Sequence, residues 1–573
     1  MSNKVYSIKI GGQAGQGIKS AGLIFSKIAS RSGYHIYNYI EYPSLIRGGH
    51  NVMQTTFSLD KVYSQIRPVN FLIALNQETI NLHLEELVEG AGIIFEDEGK
   101  IDVTLCKDKC RLFPVPLKKI AAEAGGQDIV SNNVALGAAL ALLGGDLKHL
   151  FDLIDEDLSS KDGEVVKINQ TAAKAGYDYA KTNFADKFEP LLAPQNNPGK
   201  KMVVNGTDAV AYGAIAGGLQ YAAIYPMSPT SNILSLLAAN QEEYGYVYKQ
   251  AEDEIAAINM AIGASFAGAR SMTTTSGGGF CLMTEGFGLA GQTETPVVIV
   301  EGMRGGPGTG LPTWSAQGDL RFVLHSHQGD FPRIVIAAGD AEEAFHMIMK
   351  ALNLAEKYQT PVVLLVDKNL LDDEQTFSEF DYSGYRIDRG KMFLEKDPEY
   401  HRYVNSEDGI SPRTIPGLGN HLVANSDEHN SYGYSSETIH DRNEQVQKRL
   451  RKLDTCAKED MEKPILYGPE NADITIVSWG SNKGPILEAM KDYPFVNYLH
   501  ITWMSPFPTD AVFQQLSKAK YLLNIECNST AQMAGLIREK TGIDILDQLL
   551  KDDGRPFFPE EIREKINSIL IKK

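Results

Sequence analysis

Cysteine is scarce in this chain. Five residues, Cys106, Cys110, Cys281, Cys456 and Cys527, are scattered over 573 positions, which excludes a disulfide framework. Only Cys106 and Cys110 stand close, and a lone C-x3-C falls short of the four thiolates that an iron-sulfur cluster takes, so structural thiols are expected there. Positive charge is in deficit too. The 55 Lys and Arg against 73 Asp and Glu leave a formal net charge of -18, and no basic cluster presents a surface for nucleic-acid phosphates. Long apolar runs are also missing: the longest, residues 134–143, is well short of the ~18–20 residues that span a bilayer, so no membrane segment is expected. The first residues run straight into a strand pattern without the charged-then-apolar layout of a targeting peptide, so a cytoplasmic protein is expected.

What is present fits a soluble globular protein, with 43% apolar residues, 22% charged residues and 52 glycines. A chain of this length exceeds one core and divides into several domains. Residues 1–184 alternate strand and helix patterns and form an α/β domain, with strands over 4–12, 35–41, 51–57, 71–75 and 92–95 and helices over 18–32, 78–89, 133–143 and 165–183. The glycine stretch Gly11-Gly12-Gln13-Ala14-Gly15-Gln16-Gly17 joins its first strand to its first helix. That arrangement can present backbone N–H groups to an anion, but it is no clean G-x-G-x-x-G and lacks a P-loop Lys, so a tight turn with close helix packing stays an equal reading. Arg47, in the Arg47-Gly48-Gly49-His50 turn, faces either a ligand or solvent.

Residues 185–201, rich in Pro, Asn, Gln and Lys, read as a linker, and residues 202–375 as a second, doubly wound α/β domain. Residues 376–470 lose the alternation and form an irregular interface layer or arm around a partner; residues 471–573 resume it as a smaller α/β domain. Within the arm, Ser426-Asp427-Glu428-His429 holds metal-type ligands, but three adjacent side chains cannot all face one ion on regular backbone.

The stretch over 251–268 organises the second domain. Glu252, Asp253 and Glu254 precede about four turns of small and apolar residues, a pattern for a buried helix with acids at its positive end. Either they only complement the helix dipole, or one is a working carboxyl group in a dry place. Three strand ends of the same domain carry Tyr225-Pro226-Met227-Ser228-Pro229-Thr230-Ser231, Thr275-Ser276-Gly277 and Arg304-Gly305-Gly306-Pro307-Gly308-Thr309-Gly310. Ligands bind at such ends in open α/β sheets, although Ser228 or Thr230 could equally be a helix N-cap.

Together, in order and spacing, these motifs resemble the α subunit of 2-oxoacid:ferredoxin oxidoreductases in the form with the γ domain fused at the N-terminus, and above all the 2-oxoglutarate oxidoreductase α subunits. The resemblance spans nearly the whole chain. It implies three α/β domains: an N-terminal γ domain, a central thiamine-diphosphate pyrimidine-type domain and a C-terminal transketolase-C-like domain. The implied activity is oxidative decarboxylation of a 2-oxoacid, 2-oxoglutarate before others, with coenzyme A as cosubstrate and ferredoxin as electron acceptor.

By that resemblance Glu254 is the glutamate that activates the cofactor through its aminopyrimidine ring, and Arg304 binds the substrate's 1-carboxylate. Ser228 stands where the family has a substrate-contacting threonine, and Met227 replaces an isoleucine. Tyr225 and Pro226 are expected beside the substrate, Ser276 and Gly277 beside the thiamine diphosphate, and Gly12, Gly15 and Arg47 on the coenzyme A side. The chain has no Gly-Asp-Gly followed by Asn, the motif that holds Mg2+ and the diphosphate in oxygen ligands, and no metal site is expected in it. In the family, Mg2+ and a 4Fe–4S cluster lie on a separate β subunit, so a β partner and an (αβ)2 assembly are implied. Two rivals remain on sequence alone: the same chemistry on pyruvate, branched-chain or aryl 2-oxoacids, and a non-catalytic nucleotide-binding scaffold subunit.

Overall fold

The computed structural model describes residues 4–45, 48–98, 101–196 and 198–572, and the chain divides into two compact units. The first comprises Met1–Val204, Asp373–Phe380 and Phe558–Lys573. Its sheet has eight strands in the order Arg111–Val115, Leu87–Glu96, Val69–Ala74, Tyr6–Gln13, His50–Ser58, His35–Glu41, Glu374–Phe377 and Met202–Val204. The first four pair in parallel and the rest antiparallel. Helices Ile18–Arg31, Ser131–Leu143 and Gly163–Phe184 cover it, their buried Phe25, Ile28, Leu136, Leu140 and Ala173 forming one core with Ile8, Phe57 and Phe71 of the strands.

The helix expected over 78–89 is shorter than its pattern suggests. It runs Gln77–His83, tightens through Leu84–Glu86, and the chain then enters a strand at Leu87. Leu87, Ala91 and Ile93 are buried, and pairing with the Val69–Ala74 strand outweighs local helix propensity. The 202–204 segment, expected to open the central domain, instead pairs with Glu374–Phe377 in the first unit's sheet. The last helix, Pro559–Lys572, likewise belongs to the first unit and not to a C-terminal domain over 471–573.

The second unit comprises Asn205–Asp372 and Asp381–Phe557. Its main sheet runs Trp503–Ser505, Ile334–Ala337, Pro361–Asp367, Val297–Met303, Ser271–Thr275, Tyr221–Ile224 and Val247–Gln250, parallel except at Trp503–Ser505. Strands Val297–Met303 and Pro361–Asp367 are buried at every residue, as a parallel sheet covered on both faces requires. A five-stranded sheet, Ile465–Tyr467, Val496–His500, Ile474–Ser478, Leu522–Glu526 and Asp547–Leu550, shares a core with it through Trp479, Leu499 and Met533. The fold is thus mixed α/β with several parallel sheets, as expected.

The irregular segment after residue 380 is anchored on the second unit by buried ions. Glu356, 2% exposed, receives Arg270 at 2.5 Å, Arg389 at 2.7 Å and Arg413 at 3.0 Å. Glu294, wholly buried, receives Lys448 and Lys452 at 2.6 Å each, and its carbonyl accepts from Arg402. Ion pairs substitute here for the hydrogen-bond ladder of regular structure.

Candidate active site

The helix that carries the three acids runs Glu254–Phe266 and sorts them. Asp253 is its N-cap, its carboxylate accepting from the Ala256 N–H at 2.7 Å. Glu252 is exposed, whereas Glu254, the first helical residue, is only 3% exposed. The helix is not buried all round: Ala257, Ile258, Ala261 and Ile262 face the core, but Ile255 is 51% exposed and Asn259 and Gly263 lie on the same open side. The sequence shows no charged face because that side carries Ile255, the neutral polar Asn259 and Gly263 in place of charge.

Glu254 points at the start of the next helix, Gly277–Gln292. A Cβ at Gly279 would stand 2.7 Å from Glu254 Oε1 and still nearer to Thr275 Oγ1, so only glycine leaves room for this carboxyl group. Two residues earlier, a Cβ at Gly277 would stand 2.5 Å from Asp319 Oδ2. Ser276 is the N-cap, but its buried hydroxyl caps nothing and has no partner among the described residues. Two carboxyl groups thus press on one glycine-rich helix start from different sides.

Arg304 closes the site from the end of strand Val297–Met303, donating to the Ser228 carbonyl at 2.8 Å. The Ser228 turn and the arginine loop, expected to converge, meet through this bond. Burial pulls the Arg304 pKa below its ordinary value, and the neighbouring Asp319 opposes that shift. Met227 reaches the same place, its Sδ 4.0 Å from Thr275 Oγ1. Thr230, not Ser228, is the N-cap of helix Ser231–Tyr244, and its hydroxyl donates back to the Met227 carbonyl. Tyr225 is half-buried and Pro226 exposed; no hydrogen bond joins either to Arg304 among the described residues.

Sequence reasoning missed Glu301 and Asp319. Glu301 lies in the buried strand beside Thr275, and burial together with the Asp319 carboxyl raises its pKa well above the ordinary value. Burial likewise raises Asp319, while Glu301 and Arg304 act against that rise. The signal was present for Glu301, an acid ending the apolar run Val297-Val298-Ile299-Val300. Asp319 sits in an irregular loop with no periodicity to mark it.

The other candidates lie in less charged surroundings. In the first unit Gly12 belongs to the strand, paired with Asn51, while Gly15 and Gly17 take positive φ of 94° and 71° in the turn that follows. A cavity of about 490 Å3 beside Gly17 is lined by Gln127, Asn132, Asn133 and the apolar Ile154 and Leu158. Arg47 lies outside the described residues. Burial raises both Cys106 and Cys110, the latter to about 11, so neither thiol is a ready thiolate. Glu428 is held by Arg449 and Arg442 rather than poised for a metal.

A parallel sheet whose carboxyl ends gather a buried glutamate, a glycine helix start and a half-buried arginine defines an α/β enzyme subunit. Residues 212–449 match the family described as pyruvate flavodoxin/ferredoxin oxidoreductase, thiamine diphosphate-binding, and residues 7–179 match pyruvate ferredoxin/flavodoxin oxidoreductase. The 2-oxoacid:ferredoxin oxidoreductase subunit alpha of a Sulfolobus species is 34% identical, covering 98% of this chain and 96% of its own. The 2-oxoglutarate oxidoreductase subunit KorA of Mycobacterium tuberculosis is 27% identical over 98% of this chain and 91% of its own. The solved 2-oxoglutarate:ferredoxin oxidoreductase of Magnetococcus marinus, with 2-oxoglutarate, coenzyme A and succinyl-CoA bound, superposes with a TM-score of 0.91 at 31% identity, covering 99% of both chains. This chain belongs to the 2-oxoacid:ferredoxin oxidoreductase alpha subunits. It is one subunit of a multi-subunit oxidoreductase and carries the family's thiamine diphosphate-binding domain. Among the described residues no helix is long and apolar enough to cross a membrane.

Proposed function

We propose that this chain supplies the pyrimidine-side and substrate-side half of the site that decarboxylates 2-oxoglutarate, passing the acyl group to coenzyme A and the electrons towards ferredoxin. The observation that carries this reading is Glu254: a carboxyl group 3% exposed, with no hydrogen-bond donor from the described residues, in a space kept open by Gly279. Such a group fits the ring nitrogen of an aminopyrimidine, with which it can share a proton. Bound thiamine diphosphate supplies the electron sink for decarboxylation. Ser276 and Gly277 lie on the cofactor side of this half-site.

Arg304 presents its planar fork to the substrate's 1-carboxylate from the Ser228 turn, with Tyr225 and Pro226 leading into that turn. Ser228 keeps the hydroxyl of the family threonine without its methyl, so hydrogen bonding is retained and packing around the substrate loosens. The choice of 2-oxoglutarate rests on the Magnetococcus and Mycobacterium relatives, which are named for that substrate. Gly12, at the end of the strand Tyr6–Gln13, and Gly15, in the turn that leads to Gly17 at the 490 Å3 cavity, are assigned to the coenzyme A side. Mg2+ and the 4Fe–4S cluster belong to a β subunit in an (αβ)2 assembly. Five cysteines without a disulfide suit a reducing cytoplasm.

The test is viologen reduction dependent on both a 2-oxoacid and coenzyme A, assayed with and without the β subunit across a panel of 2-oxoglutarate, pyruvate, branched-chain and aryl oxoacids. Activity is expected only for the complex and highest with 2-oxoglutarate. Glu254→Ala is expected to remove turnover while leaving the melting temperature within a few degrees. Turnover by this chain alone, or by the Glu254→Ala complex, overturns the assignment.

A further inference from the structure

The topology of the five-stranded sheet creates a ligand crevice. Strand Ile474–Ser478 has Val496–His500 parallel to it on one side and Leu522–Glu526 parallel on the other. The chain passes from the middle strand to the first neighbour and only later to the second, so the strand order reverses between Ile474–Ser478 and Leu522–Glu526. At such a switch point the connections diverge beyond the carboxyl ends of the strands and leave the crevice where open α/β sheets bind ligands. Here a side chain of the same unit fills it. Gln317, 0% exposed, donates through Nε2 to the Trp479 carbonyl at 2.9 Å, just past the middle strand. Its Oε1 accepts from Asn482 Nδ2 at 2.7 Å and from the Cys527 N–H at 3.0 Å. Its backbone N–H donates to the Cys527 carbonyl at 2.7 Å, and its own carbonyl accepts from Asn528 at 3.1 Å. Each polar group of this glutamine is thus paired with one strand end or the other, as those of a bound ligand would be. The Glu526 carboxylate closes the rest, accepting from the Met533 and Ala534 N–H groups at the start of helix Gln532–Thr541, a place suited to an anion.

What the crevice holds is the loop that begins at Arg304. This loop doubles back on itself: the Leu311 N–H donates to the Gly305 carbonyl at 2.8 Å and the Trp314 N–H to the Leu311 carbonyl at 3.1 Å. A Cβ at Gly310 would collide with the Gly305 carbonyl oxygen, so the clasp admits no side chain there. The Arg555 guanidinium stands 3.7 Å over the Trp314 ring, the Ser315 N–H donates to the Gly554 carbonyl at 2.9 Å, and two residues later Gln317 enters the crevice. Arg304 is therefore tied twice, through its side chain to the Ser228 carbonyl and through this loop to the five-stranded sheet. We propose that Gln317 occupies the crevice in place of a ligand, and that it is a positioning residue which holds the Arg304 loop ready for the carboxylate of a 2-oxoacid. The inference rests on the reading of Arg304 as the carboxylate binder. A loop already ordered loses little freedom when the substrate arrives. A loosened loop must be ordered by the substrate, so binding weakens while the chemical step keeps its rate.

The experiment uses the complex of this chain with its β subunit and measures kcat and KM for 2-oxoglutarate. Gln317→Met keeps the length of the side chain and loses its hydrogen bonds; it is expected to raise KM about ten-fold with kcat within about two-fold of wild type. Asn482→Ala removes one of those bonds from the crevice side and carries the test if Gln317→Met does not fold. It is expected to raise KM about three-fold, and the double variant to match Gln317→Met alone. Ile476→Val loosens the same sheet away from the crevice, and is expected to lower the melting temperature and leave KM unchanged. A second readout needs no turnover: hydrogen exchange in the unliganded chain, expected to be about ten-fold faster over residues 305–314 in Gln317→Met and unchanged over strand Ile474–Ser478. An unchanged KM in both single variants, a fall in kcat as large as the rise in KM, or an equal rise in KM in Ile476→Val overturns the positioning role. Arg304→Ala separates the two readings. If it leaves KM unchanged, the carboxylate-binder reading falls, with exchange over residues 305–314 still reporting whether Gln317 holds the loop. If it raises KM while Gln317→Met alters neither KM nor exchange, only the role of Gln317 falls.

Discussion

Glu254 occupies the volume that a side chain on Gly279 would fill: a Cβ there would lie 2.7 Å from its Oε1 and 2.8 Å from its Cγ. The acid on one helix and the missing side chain on the next are one structural unit. Gly279→Ala is therefore expected to displace the carboxyl group without removing it. A displacement of about 1 Å in a catalytic group can cost on the order of 100-fold in rate. Steady-state kinetics of the complex should show that loss in kcat, with a stability cost of about 1–3 kcal/mol for overpacking. Wild-type turnover in a folded Gly279→Ala protein would mean that Glu254 does not need this place.

Arg304 is placed for a two-pronged contact, because one Nη is already committed to the Ser228 carbonyl and fixes the plane of the guanidinium. Lysine keeps the charge but loses both the fork and the anchor. Arg304→Lys should raise KM for the oxoacid about 10- to 100-fold and change kcat much less. The comparison of kcat with KM across the two proteins checks this, and a fall in kcat alone would assign Arg304 to a later step.

Glu356 is one of the two buried carboxylates that anchor the arm after residue 380. Glu356 faces Arg270, Arg389 and Arg413, and Arg270 is itself fully buried. Removing one partner of a buried ionic cluster leaves the others uncompensated, at a cost of about 3–5 kcal/mol. Glu356→Gln is expected to lose stability of that order in denaturant titrations and to expose residues 381–438 to limited proteolysis. An unchanged cleavage pattern would show that the apolar contacts of the arm suffice.

Much of this could be read in the chain itself, and the parts that could not have physical reasons. The strand Pro361–Asp367 and the helix Ala341–Tyr358 fall where their apolar periodicity places them, because local pattern and tertiary burial agree there. Glu254 could be singled out because its neighbours are small and apolar and its family motif is specific. Asp319 could not, since it lies outside any strand, just before the short helix Leu320–His325, and meets Gly277 only through the fold, some 40 positions away in sequence. The strand Met202–Val204 was misplaced for a similar reason: three residues contain no period, and their partner Glu374–Phe377 lies some 170 positions on. The anchoring of the arm was illegible as well, because it uses ion pairs that leave no periodic trace.

The pH dependence of that anchoring gives the last expectation. Glu428, once a conceivable metal ligand, accepts from Arg449 at 2.9 and 2.8 Å and from Arg442 at 2.7 Å. Burial raises its pKa, but hydrogen bonds and charge from Arg449, joined by Arg442, outweigh burial and hold the carboxyl at about 2. A folded-state pKa below the unfolded value of about 4.3 means that the unfolded chain binds more protons, so the stabilisation is complete above roughly pH 5 and drains away as pH falls towards 2. Glu428→Gln removes the titrating group and keeps the shape. The gap in melting temperature between wild type and Glu428→Gln should therefore be constant from neutral pH down to about pH 5 and narrow steadily below it. Differential scanning calorimetry over that range measures the gap directly; one that widens on acidification would show that Arg449 and Arg442 are satisfied by other acceptors and that Glu428 is not what fastens the arm to helix Ile439–Glu459.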